Sequence, residues 1–260
     1  MMFKIVIPNY NNAEWIDKCL ESIQNQTFKD YYVIVIDDAS TDNSTEIVNK
    51  FIDKGMNIIQ KISPIKIWNG GARNVGIKDN TYKTEYTIFL DSDDWFENEN
   101  CLQLIYDTIQ ANNNPDCVSL SYNCLIGDLE HYQELERNTP QELVNSLYVA
   151  CWTKCIKTEL IQLFPENTLM EDVVQHIKQC DKLETIVSIK EPIVEWNRNN
   201  TGSCSRVENQ DCQQGKWQSS MYRYAADLMD LQVEHDYCEE HRKWRLEVVL
   251  NNIKEGKYIQ

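Results

Sequence analysis

The stretch that most constrains this chain is Thr87-Ile88-Phe89-Leu90, a short apolar run that breaks off into Asp91-Ser92-Asp93-Asp94. An apolar run of this length reads as a buried strand, and a strand buried on both faces belongs in a parallel sheet covered by helices. Three carboxylates within four residues repel one another and resist desolvation, so they need solvent or a cation beside them. A divalent metal answers that need most economically.

The same strand, polar loop and helix pattern occurs earlier in the chain. Phe3 to Ile7 predicts a first strand, broken by Pro8-Asn9-Tyr10-Asn11-Asn12, with Asn11 or Asn12 as a cap for a helix over Ala13 to Gln26. Tyr31 to Ile36 predicts a second strand, ending in Asp37 and Asp38, with a helix over Thr45 to Lys54. Met56 to Ile62 reads as a third strand, Asn69 to Gly76 as the opening of a short helix, and Tyr86 to Leu90 as the fourth strand. Alternating strands and helices predict an α/β, Rossmann-like fold with a mostly parallel central sheet, flanking helices and right-handed crossovers. In open sheets of this kind ligands bind beyond the carboxyl ends of the strands. Pro8 with Tyr10, Asp37 with Asp38, and the Asp91 to Asp94 cluster are all delivered to that edge.

Further on, the pattern predicts a helix over Cys101 to Gln110, a strand over Cys117 to Ile126 and a loop from Gly127 to Asn138. A short helix from Pro140 to Leu147, a strand over Cys151 to Lys157 and a helix from Thr168 to Cys180 follow, with Glu171 and Asp172 near the start of that last helix. Two short strands flank Pro192, and the chain turns helical from about Asp211, with a break near Tyr237-Cys238-Glu239. A composition shift near residue 208 divides the chain into a domain over 1–207 and a helical C-terminal extension over 208–260. Within the domain, 1–116 and 117–207 read as two halves.

With 41 acidic against 25 basic residues the net charge is −16, a surface that repels nucleic acid and anionic membranes. The ten cysteines are scattered without a C-x-x-C pair, as buried thiols of a reducing compartment would be. No signal peptide and no transmembrane run is legible, so a soluble, cytoplasmic protein is expected.

Five segments carry a resemblance. Ile5-Val6-Ile7-Pro8-Asn9-Tyr10-Asn11, Leu20 to Thr27, Val35-Ile36-Asp37-Asp38-Ala39-Ser40-Thr41-Asp42, Ala72-Arg73-Asn74-Val75-Gly76 and Leu90-Asp91-Ser92-Asp93-Asp94 stand in the order and spacing of the inverting family 2 glycosyltransferases with a GT-A fold. The chain resembles that family from Phe3 to about Arg206. The resemblance implies that Pro8 and Tyr10 pack on the nucleotide base, that Asp38 hydrogen-bonds it, and that Arg73, Asp91 and Ser92 also lie with the donor nucleotide. It implies Asp93 as the ligand of Mn²⁺ or Mg²⁺ in the D-x-D motif, with Asp91 on the ribose or the metal and Asp94 beside them. Met170-Glu171-Asp172 is similar to the family's Glu-Asp pair, with Asp172 as catalytic base and Glu171 in reserve. Trp152 and Lys154 are similar to an acceptor-side segment, and Arg198 and Ser203 to a closing motif near the diphosphate.

The implied activity is a metal-dependent inverting transfer of a sugar from a nucleoside-diphosphate donor, a UDP-sugar, to a hydroxyl of a glycan, lipid-linked or protein acceptor. The cation neutralises the leaving diphosphate, and a carboxylate takes the acceptor proton. Adjacent helical residues point about 100° apart, so one of Glu171 and Asp172 faces the acceptor. A nucleotidyltransferase-like or non-catalytic sugar-nucleotide-binding protein is the alternative. A homodimer through the C-terminal helices is a further expectation.

Overall fold

The computed structural model describes residues 1–146, 149–168, 170–202 and 214–255, the side chains of 214–221 excepted. Its centre is one nine-stranded sheet. Strands β1 (Phe3–Asn9), β2 (Tyr31–Asp37), β3 (Ile58–Ile62) and β4 (Tyr86–Phe89) lie parallel in the order β3-β2-β1-β4. Every residue of β1, β2 and β4 is buried. Such strands have no polar alternation to show, which is why the sequence reads as unbroken apolar runs. Helices α1 (Ile16–Gln24), α2 (Ser44–Asp53) and α3 (Trp68–Ile77) make the crossovers.

The one basic residue inside β1 is not an exception to this burial. Lys4 sends its ammonium past the sheet to the carbonyls of Gly76, Ile77 and Asp79 at 2.8–3.2 Å, where α3 ends with carbonyls that have no helical partner. The close approach of α3 to β1 is made possible by Gly76, at which a Cβ would lie 2.4 Å from Val6 Cγ1.

The sheet continues through β8 (Lys154–Lys157), β6 (Cys117–Ile126), β9 (Ile186–Asn197) and β5 (Trp95–Phe96), in the order β4-β8-β6-β9-β5. Strand β8 is antiparallel to both neighbours and β9 is parallel to β6. Helix α4 (Cys101–Ala111) follows β5, α5 (Pro140–Asn145) precedes β8, and α6 (Glu171–Cys180) precedes β9. Helices α7 (Gln214–Asp230) and α8 (Asp236–Glu255) form the C-terminal extension. Both halves of the domain read from the sequence contribute to this single sheet.

Several boundaries differ from the sequence reading for identifiable reasons. The polar segment 127–138 is not all loop, because Leu129–Gln133 forms β7, which pairs with β6 and leaves most of its side chains exposed. The two strands expected around Pro192 are one strand, β9, whose register slips between Ile189 and Pro192, so that Lys190 and Glu191 bulge out where proline has no N–H to give. Trp95–Phe96 is too short to show periodicity but pairs with β9. Cys151–Thr153 is a 3-10 turn before β8, and the helical break falls at 231–235, ahead of Tyr237. Seven of the eight described cysteines are buried and all eight are free thiols; Cys204 and Cys212 lie outside the described residues.

Candidate active site

The strand ends place the site. The loops after β1 and β2 are tied together by short polar side chains: Asn9 Nδ2 donates to Asp37 Oδ2 at 3.0 Å, the Ser40 amide to Asp37 Oδ1 at 2.8 Å, and the Thr41 amide to Asn11 Oδ1 at 2.7 Å. Asn11 and Ala39 both take left-handed backbone, at φ 50° and 60°. Asp37 is thereby a scaffold residue. Asp38 is buried beside it, and its two oxygens accept the Ile67 and Trp68 amides at 2.6 and 2.8 Å, so that it closes the N-terminus of α3. Burial raises the Asp38 pKa, opposed by those two amides and by Lys66 nearby.

Around Tyr10 the structure adds two residues that the sequence did not single out. Lys66 holds its ammonium 3.3 Å from the Tyr10 ring centre and 4.7 Å from that of Trp68. Trp68 has φ 62°, an unfavourable conformation for a bulky residue, and the Asp38 carboxylate holds its amide. A lysine and a tryptophan next to a glycine pair carry no spacing signal, so only the fold brings them together with Tyr10.

The acidic cluster lies at the end of β4. Arg73, buried in α3, donates through Nη2 to Asp91 Oδ1 and through Nη1 to Glu171 Oε1, both at 2.6 Å. One guanidinium thus joins the β4 edge to the first turn of α6, whose residues lie about 80 positions further along the chain. Asp93 Oδ2 accepts Asn200 Nδ2 at 2.8 Å, Asn200 also donates to Asn12 Oδ1 at 3.1 Å, and Asn12 Nδ2 donates to Ser92 Oγ at 2.7 Å. The Asn12 side chain therefore does not cap α1, as expected; its backbone carbonyl starts the turn and its amide supports the site. Asp94 is buried and accepts the Asn197 amide at 2.9 Å.

Crowding of this kind has an electrostatic cost. Burial, and then the Asp91 charge, push Asp93 up to about 6; burial with the charges of Asp93 and Asp91 raises Asp94 further. Burial also pushes Glu171 up to about 7 and raises Asp172, with Arg73 pulling both back. The carboxylates thus lack positive charge, and Arg73 is shared between two of them. Among the described residues no group of three or more His, Cys, Asp or Glu is arranged to enclose a metal. An open site of one or two carboxylates, to be completed by phosphate oxygens, is the arrangement Mg²⁺ favours with nucleotides. Asp91 Oδ2 and Asp93 Oδ1 are not claimed by Arg73 or Asn200 and fit that role.

Other expected residues lie elsewhere. Lys154 is fully buried, and its ammonium donates to the Val149 and Ala150 carbonyls at 3.0 Å and to His176 Nδ1 at 3.2 Å. It therefore organises the interior instead of reaching a diphosphate or acceptor, and burial lowers it to about 8. Trp152 is likewise core, with Tyr122 and Trp196 ring centres at 4.9 and 5.9 Å. The Arg198 guanidinium lies over Trp196 at 4.7 Å. Ser203 lies outside the described residues.

Residues 4–186 match the family described as Glycosyl transferase family 2. The glycosyltransferase GlyA of Streptococcus pneumoniae is 27% identical over an alignment covering 95% of this chain and 38% of that protein. A poly(ribitol-phosphate) beta-glucosyltransferase of Bacillus spizizenii is 41% identical over 40% of this chain and 16% of its own length. The chain thus spans well under half of these relatives. In fold it is similar to Staphylococcus aureus TarS crystallised with UDP-GlcNAc, with TM-score 0.73 and 23% identity over 99% of this chain and 74% of that one. With a mixed α/β sheet of GT-A type and a family match over most of its length, the chain belongs to glycosyl transferase family 2.

Proposed function

We propose that this protein is a metal-dependent inverting glycosyltransferase that moves a sugar from a UDP-sugar to an acceptor hydroxyl of a glycan, lipid-linked or protein substrate. The observation that carries the reading is Arg73 between Asp91 and Glu171, which unites a donor-side and an acceptor-side carboxylate in one site. Pro8, Tyr10 and Asp38 form the base side, with Lys66 and Trp68 added to it. Asp91 and Ser92 face the ribose and diphosphate, Asp93 with Asp91 holds Mn²⁺ or Mg²⁺, and Asp94 keeps the turn in place through Asn197. When bound, the cation neutralises charge on the leaving diphosphate.

Asp172 is assigned the base. Glu171 is occupied by the Arg73 ion pair, whereas Asp172 makes no hydrogen bond to Arg73, and burial raises its affinity for a proton, as a general base requires. The acceptor oxygen bonds to the anomeric carbon, its proton passes to Asp172, and the bond to the diphosphate breaks with its electron pair on the leaving oxygen. Displacement from the opposite face inverts the centre. The division into 1–116, 117–207 and 208–260 is kept as a functional one, with donor and acceptor halves on one sheet.

A cytoplasmic location is supported by the eight free thiols of the described residues. No helix among those residues is long and apolar enough to cross a membrane. A homodimer would use the exposed Tyr222, Met229 and Trp244 of α7 and α8, and sedimentation at micromolar concentration tests it.

Calorimetry with UDP with and without Mn²⁺, in the parent and Asp93→Ala, tests donor and metal. Metal-dependent binding that the variant loses is expected, and equal affinity in both proteins removes the metal assignment. Turnover is then screened with UDP-GlcNAc, UDP-glucose and other nucleotide-sugars. Asp172→Asn should bind UDP normally but lose transfer; full activity in that variant moves the base elsewhere.

A further inference from the structure

Helix α6 carries Glu171 and Asp172, yet its own N-terminus is poorly secured. No side chain caps it, and its N-cap, Met170, has left-handed backbone at φ 59°, as does Asn167 at φ 58°. Left-handed backbone is unfavourable for a residue like Met170 and persists only where surrounding contacts hold it. The contacts come from the C-terminal extension. Thr168, buried, donates its hydroxyl to Asp227 Oδ2 of α7 at 2.6 Å, and Arg223 of α7 donates to the Asn167 carbonyl.

The other end of α6 is held by the same extension. Asp181, just past its last turn, accepts the Glu234 and His235 amides at 2.7 and 2.9 Å, in the turn between α7 and α8. Between these ends Val173, Val174 and Ile177 pack with Tyr224, Ala225, Leu228 and Val249. Tyr224 and Arg245 lie within electrostatic reach of the Asp172 carboxylate.

We infer that α7 and α8 form a brace that sets the first turn of α6 against Arg73, with Asp227, through Thr168, as the positioning residue for Glu171 and Asp172. Asp227 itself touches neither carboxylate. Its part in transfer rests on the reading of Asp172 as base, whereas the brace is read out without any donor or acceptor.

The test uses the full chain with Asp227→Ala, Asp227→Asn and Thr168→Val. Asn keeps an oxygen that can accept the Thr168 hydroxyl, so it is the conservative rescue. Amide exchange across 167–173 and the ¹³C-detected titration midpoint of the Glu171 carboxyl are measured in each. For Asp227→Ala and Thr168→Val, exchange should quicken tenfold or more, and the Glu171 midpoint should move as the carboxyl leaves Arg73. Asp227→Asn should restore both, and UDP affinity with Mn²⁺ should stay within twofold throughout. A parent-like Glu171 midpoint in both disruptive variants overturns the inference, whether or not exchange changes, because the brace would then support the fold without placing the carboxylate. Failure of Asp227→Asn to rescue overturns it as well. Should Asp227→Ala not fold, Thr168→Val decides. Full transfer by Asp172→Asn would instead overturn the proposed base and leave the brace measurements standing.

Discussion

The Lys66 ammonium sits 3.3 Å from the centre of the Tyr10 ring, the ring proposed to stack on the nucleotide base. A base and an ammonium cannot share one face, so a base stacking on the face that Lys66 covers displaces the lysine. A half-buried cation–π contact is worth about 0.5–1 kcal/mol. Lys66→Ala should therefore bind uridine about two- to fivefold more tightly than the parent protein, measured by calorimetry at low salt. Uridine is the right probe because it has no phosphate for Lys66 to attract. Weaker uridine binding in the variant would mean that the lysine contacts the base directly and is not its competitor.

Two glycines of α3 separate stability from placement of the site. A Cβ at Gly76 would meet Val6 Cγ1 at 2.4 Å and Ile36 Cδ1 at 3.1 Å, inside the sheet–helix interface. Overpacking of that kind costs about 1–3 kcal/mol, so Gly76→Ala should lower the denaturation midpoint with the m-value unchanged. At Gly70 the Cβ would meet the Pro165 carbonyl at 2.4 Å and Glu171 Cγ at 3.2 Å. Gly70→Ala should push on the segment leading into α6 and reduce turnover by more than its loss of stability accounts for. Unimpaired turnover in that variant would show that the segment yields freely.

What was legible in the sequence follows from how each feature is encoded. Buried parallel strands appear as continuous apolar runs, so β1, β2 and β4 and the acids that end β2 and β4 could be read directly. Their convergence followed from topology alone. Lys154 was expected on the acceptor side because its segment resembles a family motif, whereas three acceptors in the interior hold its ammonium there. Asn12 looked like a cap because capping and site support use the same side-chain amide. Asn200, Lys66 and Asp227 carry no local signal at all, since each acts on a partner distant in sequence. Strand β7, largely exposed and polar, lacked the alternation that marks a half-buried strand.

Arg73 is the cation that both carboxylates depend on. Replacing it with methionine would leave Asp91 and the buried Glu171 facing each other's charge with no donor between them. Breaking a buried ion pair from one side costs about 3–5 kcal/mol. Arg73→Met should be destabilised by that order in urea denaturation at pH 7. Arg73→Lys should recover only part, because one ammonium does not reproduce a planar fork that places two nitrogens on two partners. Equal stability of the lysine variant and the parent would show that charge alone is required.

The raised pKa of Glu171 gives a pH signature of definite sign. Burial lifts it from 4.5 to about 7, with Arg73 opposing and Asp172 adding to the rise. Between those values the folded protein holds a proton that the unfolded chain has released. Stability from this group is therefore fully present below about pH 4.5 and is lost as pH rises through about 7. Glu171→Gln has no such proton, so its stability measured across this window should fall less steeply with pH than that of the parent. Because the protonated carboxyl cannot serve Arg73 as a full counter-ion, parent turnover should rise over the same interval, and the rise should be shallower in the glutamine variant. Parallel stability curves for the two proteins from pH 4.5 to 7 would place the titration on another group.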